Sequence, residues 1–357
     1  QSTNLAYHDS VGWKAANLAE VSAILEKQWV PPWFVVTDRA FEEIMEMNDP
    51  GIKNAKDAKW NIRQSIGRIL DRADYSDAQK SNRIFNLLEN ITLPSEMVQN
   101  ILQSYHDLFA VRDDLSRTDD NFVAVRSSCR EEDAETAARA GEFMTFLYIR
   151  GERELIHHIQ LTWGGLWTER AIHNRRVLGI PATEATGGGV IVQKIVNARV
   201  SGVLQTVNMG KGAMEEIVIN AGLGLGEGIV SGTVAADQII VQKERDLDPN
   251  SLRLNYIVAD KTEQIVFDKK YGSGTTKSET LYHQRMRPAL EYTEVVELVQ
   301  IALKLEHIYG YPLDIEFALD ESRLWILQVR PVPFFSGLVE EVIEKYPISV
   351  NKMQVKR

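Results

Sequence analysis

The stretch Pro312-Leu-Asp-Ile-Glu-Phe-Ala-Leu-Asp-Glu-Ser-Arg-Leu-Trp-Ile-Leu-Gln-Val-Arg-Pro331 constrains this chain more than any other. Residues 313–319 alternate apolar and polar, a polar segment follows, and 324–330 are strand-like again. The pattern predicts a β-hairpin. With an odd-numbered turn such as Glu321-Ser322-Arg323, the pairs Phe317/Leu327, Ile315/Val329 and Leu319/Trp325 share one face. The other face sets Glu316 opposite Gln328 and Asp314 opposite Arg330. Directly opposed side chains lie roughly 5 Å apart at Cβ, so Glu316 and Gln328 can share one hard cation. A guanidinium two residues from such a pair suits a nucleoside triphosphate. The same spacing also describes an ordinary hairpin with one ion pair, and other segments must decide.

Composition narrows the classes. The 357 residues suffice for two or three packed units with a sizeable core. A net charge of −10 argues against nucleic acid or an anionic membrane as the main partner. The single cysteine, Cys129, excludes an internal disulfide framework and a cysteine-based zinc site, and it fits a reducing, cytoplasmic setting. No apolar run reaches bilayer-spanning length, and the polar start Gln-Ser-Thr-Asn does not read as a signal peptide. No histidine has metal-ligand spacing with a second histidine or cysteine, so the histidines read as structural or surface residues.

Along the chain, residues 10–27 read as a loop entering a helix, and Pro31-Pro32-Trp-Phe-Val-Val-Thr as a short buried strand. From about 38 to 115 the pattern is helical, with breaks near 48–51 and 92–94. Phe122-Val-Ala-Val-Arg-Ser-Ser reads as a strand running into a polar loop, and 152–178 as a helix. Thr186-Gly-Gly-Gly189 is the clearest joint, after which the chain is strand-rich through 251–267, and a helix at 293–308 precedes the hairpin. The expectation is an α/β architecture with a boundary near 187.

Four segments carry candidate chemistry, none of it specific by itself. Ala221-Gly-Leu-Gly-Leu-Gly-Glu-Gly228 could bring backbone amides to phosphate oxygens, but it matches neither a Walker A loop nor the dinucleotide fingerprint, and a tight structural turn explains it equally. Val125-Arg-Ser-Ser128 places one cation and two hydroxyls at a strand end, a set suited to phosphate. Ala140-Gly-Glu-Phe-Met-Thr145 offers a flexible glycine and a hydroxyl. Lys14, at a loop-to-helix junction, could reach a phosphate at the helix start, although most such lysines are solvated.

Taken in order, Val11-Gly-Trp-Lys-Ala-Ala-Asn-Leu, Val125-Arg-Ser-Ser, Ala140-Gly-Glu-Phe-Met-Thr, Arg170-Ala-Ile, Gln193, Gly224-Leu-Gly-Glu, Gly232-Thr-Val with Asp237, and Asp314-Ile-Glu with Leu327-Gln-Val-Arg-Pro form one pattern. It resembles the N-terminal nucleotide-binding domain of the phosphoenolpyruvate synthase, pyruvate phosphate dikinase and rifampicin phosphotransferase family, from about residue 8 to 335. The resemblance implies an α/β (α+β), ATP-grasp-like two-lobed fold with ATP in the cleft. Residues 1–187 would form an N-terminal lobe with a helical subdomain, 188–335 a C-terminal lobe with the adenine and Mg²⁺ site, and 336–357 a tail or linker.

Carried over by motif, the resemblance assigns Lys14, Arg126 and Arg330 to phosphate, Gly141 and Thr145 to a closing loop, Gln193 to the adenine end, and Glu316 and Gln328 to Mg²⁺. Trp13, Cys129, Glu142 and Ala236 depart from the family pattern, and Trp13 and Glu142 bear on nucleotide geometry and loop closure. In the family a histidine on a swivelling domain attacks ATP, AMP is released, and the phosphoryl group passes to an acceptor site. That histidine segment and the acceptor domain are absent from this sequence. The expectation is therefore an ATP-binding part that works with a histidine-bearing domain or subunit and an acceptor-binding subunit. It is either an excised domain or, in an arrangement resembling phenylphosphate synthase, a separate subunit. A ligase or kinase releasing ADP and a non-catalytic nucleotide-binding subunit stay open as alternatives.

Overall fold

The computed structural model describes residues 8–25, 28–51, 60–110, 121–129, 144–181, 183, 185, 188–243 and 252–332. The first third is mainly helical: α1 (His8–Val11), α2 (Trp13–Ile24), β1 (Trp33–Val36), α3 (Asp38–Met45), α4 (Ile62–Leu70), α5 (Asp77–Glu89) and α6 (Ser95–Ala110). Next come β2 (Val123–Ser128), β3 (Thr145–Ile149), α7 (Glu152–Gly164), α8 (Glu169–Val177), β4 (Gly189–Lys194), β5 (Val200–Gln205) and β6 (Glu216–Leu223). The rest comprises α9 (Glu227–Val230), β7 (Asp237–Gln242), β8 (Leu254–Ile257), β9 (Glu263–Phe267), β10 (Thr275–Glu279), α10 (Tyr282–Arg285), α11 (Tyr292–Tyr309), β11 (Leu313–Leu319) and β12 (Leu324–Pro331). No helix among the described residues is long and apolar enough to cross a membrane.

Local chemistry sets many of these limits. Asn61 with Gln64 and Ser76 with Gln79 form capping boxes that start α4 and α5. The helix read over 152–178 is in fact two: α7 ends at Gly164, a 3₁₀ turn covers Gly165–Trp167, and the Thr168 hydroxyl caps α8 by accepting from the Ala171 N–H (3.1 Å). Trp163 and Trp167 are core residues, and both pack against Phe41.

The strands form a four-stranded sheet of order β1-β4-β2-β3, a six-stranded sheet of order β12-β11-β5-β6-β7-β8, and the β9–β10 hairpin. Every ladder is antiparallel, so the class is α+β rather than a βαβ winding. β4, which follows the glycine joint, pairs with β1 and β2. The strand carrying Gln193 therefore belongs by hydrogen bonding to the first sheet, and the chain changes sheets between Lys194 and Val200.

Strand alternation gives the first sheet two different faces. Val123, Val125, Val190 and Val192 join the core made with the helices from α3 to α8. Arg126, Ile191 and Gln193 point the other way, and Ile191 enters the core of the second sheet. That second core also holds Leu204, Ile219, Ile239, Ile315 and Phe317 with α11, and Ala15, Leu18 and Val21 of α2. The first long helix of the sequence is thus packed on the last strands.

The hairpin departs from its simplest reading in an instructive way. Its turn has four residues, Asp320 to Arg323, not three, and Asp320 holds it: Oδ1 accepts from the N–H groups of Ser322 (2.7 Å) and Arg323 (2.9 Å), and Oδ2 from the Trp325 indole (2.8 Å). A β-bulge then leaves Leu327 without a partner, so Phe317 faces Ile326 and Leu319 faces Leu324. Beyond the bulge Glu316 faces Gln328, Ile315 faces Val329 and Asp314 faces Arg330, the pairs expected from the sequence. The pairs Phe317/Leu327 and Leu319/Trp325 are corrected by one residue. The bulge also explains why Leu324, Ile326 and Val329 all lie in the core despite the odd step between the last two.

The first part of the glycine run after β6 is structural. The amides of Gly224 and Leu225 donate to the carbonyls of Arg199 and Ile265 (both 2.9 Å), and the Gly224 carbonyl accepts from the Ser201 hydroxyl (2.6 Å). Those amides are already satisfied and are not offered to phosphate. At the start of β7 an ion pair is fully buried: Lys261 Nζ donates to Asp237 Oδ1 (2.6 Å), and both side chains are 0% exposed. Asp237 also accepts from the N–H groups of Ala259 (2.8 Å) and Ala289 (2.7 Å), tying three segments together. Lys261→Met leaves that carboxylate without its cation, and the expected loss is about 3–5 kcal/mol of unfolding free energy by denaturant titration. Asp237→Asn added to Lys261→Met should recover much of it.

Candidate functional site

Arg126 lies on the face of β2 that looks away from the helical core, and its side chain reaches the β11–β12 hairpin of the other sheet. Nη2 donates to Glu316 Oε2 (2.8 Å) and to Gln328 Oε1 (2.7 Å). Nη1 lies 3.5 Å from the carbonyl of Leu327, the residue that the bulge removes from the ladder. The Nε of Arg126 is buried and has no hydrogen-bond partner. Two register positions along the hairpin, Nε and Nη2 of Arg330 both donate to Asp314 Oδ2 (3.0 and 2.9 Å), while Asp314 Oδ1 is buried without a partner.

Lys14 enters from a third direction, in the first turn of α2, close enough to act on the charge of Glu316. Burial pushes the Glu316 carboxyl up, but Arg126, Lys14 and Arg330 together outweigh it and hold the group below the usual glutamate range. Burial raises the neighbouring Asp314, Arg330 offsets only part of that, and the charge on Glu316 adds to it. Three cations from three elements thus surround two carboxylates, leaving a net positive node with a free carboxylate oxygen and a free guanidinium N–H.

Of the residues expected at the site, Lys14, Arg126, Glu316, Gln328 and Arg330 come together at this node. Thr145 is the β3 neighbour of Arg126 and is exposed. Gln193 lies on the same face of the first sheet, is 3% exposed, and has an Nε2 with no partner. A buried amide donor left open is a group that a ligand acceptor can satisfy. Gly141 and Glu142 lie outside the described residues. Two features were not readable from sequence. The free oxygen of Asp314 was hidden because its pairing with Arg330 accounts for only one oxygen. The Ser128 hydroxyl, grouped with phosphate ligands by its place in Arg-Ser-Ser, accepts instead from the Ala15 N–H (3.0 Å).

The opposite shifts generate a prediction. A carboxyl held below its usual range contributes stability above that range and loses it as pH falls through the folded value. Glu316 is of this kind, whereas ionising Asp314 costs stability as pH rises from the usual aspartate range through its raised folded value. Carboxyl-carbon NMR titration should show Asp314 taking up its proton at higher pH than Glu316, reversing the ordinary order of the two acids.

The sequence has relatives of known name. It is 30% identical over 366 residues to a probable phosphoenolpyruvate synthase of Pyrococcus horikoshii, covering 94% of this chain and 43% of that protein. It is 33% identical over 331 residues to a probable phosphoenolpyruvate synthase of Methanocaldococcus jannaschii, covering 91% and 25%. To the rifampicin phosphotransferase of Bacillus subtilis it is 30% identical over 325 residues, covering 90% and 34%. The chain therefore spans less than half the length of these curated relatives. Residues 8–346 match the family described as pyruvate phosphate dikinase, AMP/ATP-binding domain, and this chain belongs to that family.

Proposed function

We propose that this chain is the ATP-binding part of a histidine-relay dikinase, holding Mg-ATP in a cleft between the two sheets in an ATP-grasp-like arrangement. The observation that carries the reading is the node itself: Arg126 of one sheet meets Glu316 and Gln328 of the other, with Lys14 and Arg330 acting on the same carboxylate. The N-terminal lobe of the proposal takes in β4, and its partner lobe takes in α2.

The donor set fits a hard cation. An anionic oxygen of Glu316 and a neutral carbonyl oxygen of Gln328 already converge on one cationic nitrogen. Bound Mg²⁺ supplies charge neutralisation of the triphosphate. Lys14, Arg126 and Arg330 contribute fixed positive charge, and the open Nε of Arg126 is an additional donor for a phosphate oxygen. The open Nε2 of Gln193 serves the adenine end, and Thr145 with Gly141 belongs to the closing loop. This chain's contribution is positioning and electrostatics, with no general base of its own, because the attacking group is an imidazole on a histidine-bearing domain or subunit.

The acceptor is bound by parts outside this chain. The relatives' names point to phosphoenolpyruvate synthesis or rifampicin phosphorylation, and a phenol, as in phenylphosphate synthase, is the third acceptor class this relay admits.

Two measurements test the reading. In a native extract supplemented with the purified chain, ATP labelled at the β-phosphate should yield AMP and an acid-labile, base-stable label on a separate polypeptide; ADP as product would instead mark a direct kinase or ligase. In the purified chain, Glu316→Gln, which removes the anionic oxygen from the proposed metal site, should weaken Mg²⁺-dependent ATP binding. Arg126→Met should strengthen Mn²⁺ binding in the absence of nucleotide, read by electron paramagnetic resonance, because the guanidinium no longer occupies the two oxygens.

A further inference from the structure

The first turn of α2 is capped from a distant strand. The first four N–H groups of a helix have no partner within it, and an N-cap side chain ordinarily accepts from the second or third. Here the N-cap is Gly12, which has no side chain to offer. The Ala15 N–H donates instead to the Ser128 hydroxyl at 3.0 Å, across 113 residues of sequence. Ser128 is 0% exposed, so its hydroxyl presents no surface to a ligand in the cleft.

The junction is built to bring these segments close. Gly12 has φ +79°, and a Cβ there would lie 2.0 Å from the Ser128 carbonyl oxygen. Gly189, directly opposite Ser128 on β4, has the same property: a Cβ there would lie 2.4 Å from the Val11 carbonyl oxygen and 2.7 Å from that of Ser128. Only glycine at both places lets the α2 start, the end of β2 and the start of β4 meet. Ser128 and Arg126 are two residues apart on β2 and share a face. Lys14 immediately precedes the capped Ala15. One hydroxyl therefore joins the backbone that carries Lys14 to the strand that carries Arg126.

We infer that Ser128 is a positioning residue, which fixes the start of α2 on β2 and so sets Lys14 relative to Arg126 at the nucleotide phosphates. The inference rests on the nucleotide-binding reading above, and it assigns Ser128 to the frame of the site rather than to its ligands. A lysine side chain has a long flexible stem, so the placement of its ammonium depends on how firmly its own backbone is held.

The test is a double-mutant cycle on Mg-ATP affinity in the full chain, by titration calorimetry, using Ser128→Ala and Lys14→Met. Loss of a cap of this strength corresponds to about a fivefold weakening. Ser128→Ala should show it with Lys14 present and lose it, to within about twofold, in the Lys14→Met background. Ser128→Cys, similar in size with a weak acceptor, should fall between, and it stands in should the alanine variant fail to fold. In unsubstituted protein the Ala15 amide should be protected from hydrogen exchange, and Ser128→Cys should speed that exchange. Equal losses in both backgrounds would place Ser128 on the nucleotide itself and overturn the inference. An unchanged affinity with a lowered unfolding midpoint would reduce Ser128 to a stability role and overturn it as well. Failure of the unsubstituted chain to bind Mg-ATP would sink the nucleotide reading, and the positioning role with it, even if the Ala15 exchange confirmed the cap.

Discussion

The Arg126 guanidinium is where the two sheets of this protein meet chemically, and much of the site's organisation follows from what that contact requires. A partly buried carboxylate at Glu316 needs a cation, because removing one partner of a buried pair leaves an uncompensated charge at a cost of about 3–5 kcal/mol. Arg126 supplies that cation from the other sheet, at 2.8 Å from Glu316 and 2.7 Å from Gln328. For it to do so, β2 must turn its valines toward the helices and Arg126 toward the second sheet. The hairpin must also place Glu316 and Gln328 directly opposite each other. On the proposed reading the two oxygens that hold this cation exchange it for a metal ion, and the displaced guanidinium then meets an anion.

Much of this was legible in the sequence, but not for uniform reasons. The pairs Glu316/Gln328 and Asp314/Arg330 were correctly placed by alternation and an odd offset, although the route differs: an even, four-residue turn plus one bulged residue has the same sum as an odd turn without a bulge. Leu-Trp-Ile-Leu at 324–327 is apolar at every position, so no parity signal marks where the bulge falls. The ordered motifs located the family over nearly the whole chain. The glycine joint was a weaker guide, because Gly188 lies against Phe41 of α3 and Gly189, the first residue of β4, lies against the carbonyls of Val11 and Ser128, so both serve close packing rather than a break between the sheets.

Other features are set by partners far away in sequence and leave no local trace. β3 and β10 carry weak strand signals, because β3 begins at the end of a glycine-containing motif and β10 reads Thr-Thr-Lys-Ser-Glu, with little apolar alternation. Ser128 looked like a phosphate ligand because a hydroxyl after an arginine suits phosphate, whereas its partner is an amide 113 residues earlier. Asp237 stood out only as part of a motif, and its role as acceptor for Lys261, Ala259 and Ala289 depends on tertiary structure alone. In each case the sequence shows a group able to make a bond, and the fold decides with what.

The central claim is that Glu316 and Gln328 hold a metal ion in the nucleotide complex and that Arg126 leaves them to meet phosphate. A crystal structure of the chain with Mn²⁺ and a non-hydrolysable ATP analogue tests it directly. The account predicts an anomalous peak between Glu316 and Gln328, with the Arg126 guanidinium turned onto the phosphates. A complex in which Arg126 keeps both oxygens and the metal and nucleotide lie elsewhere would contradict it.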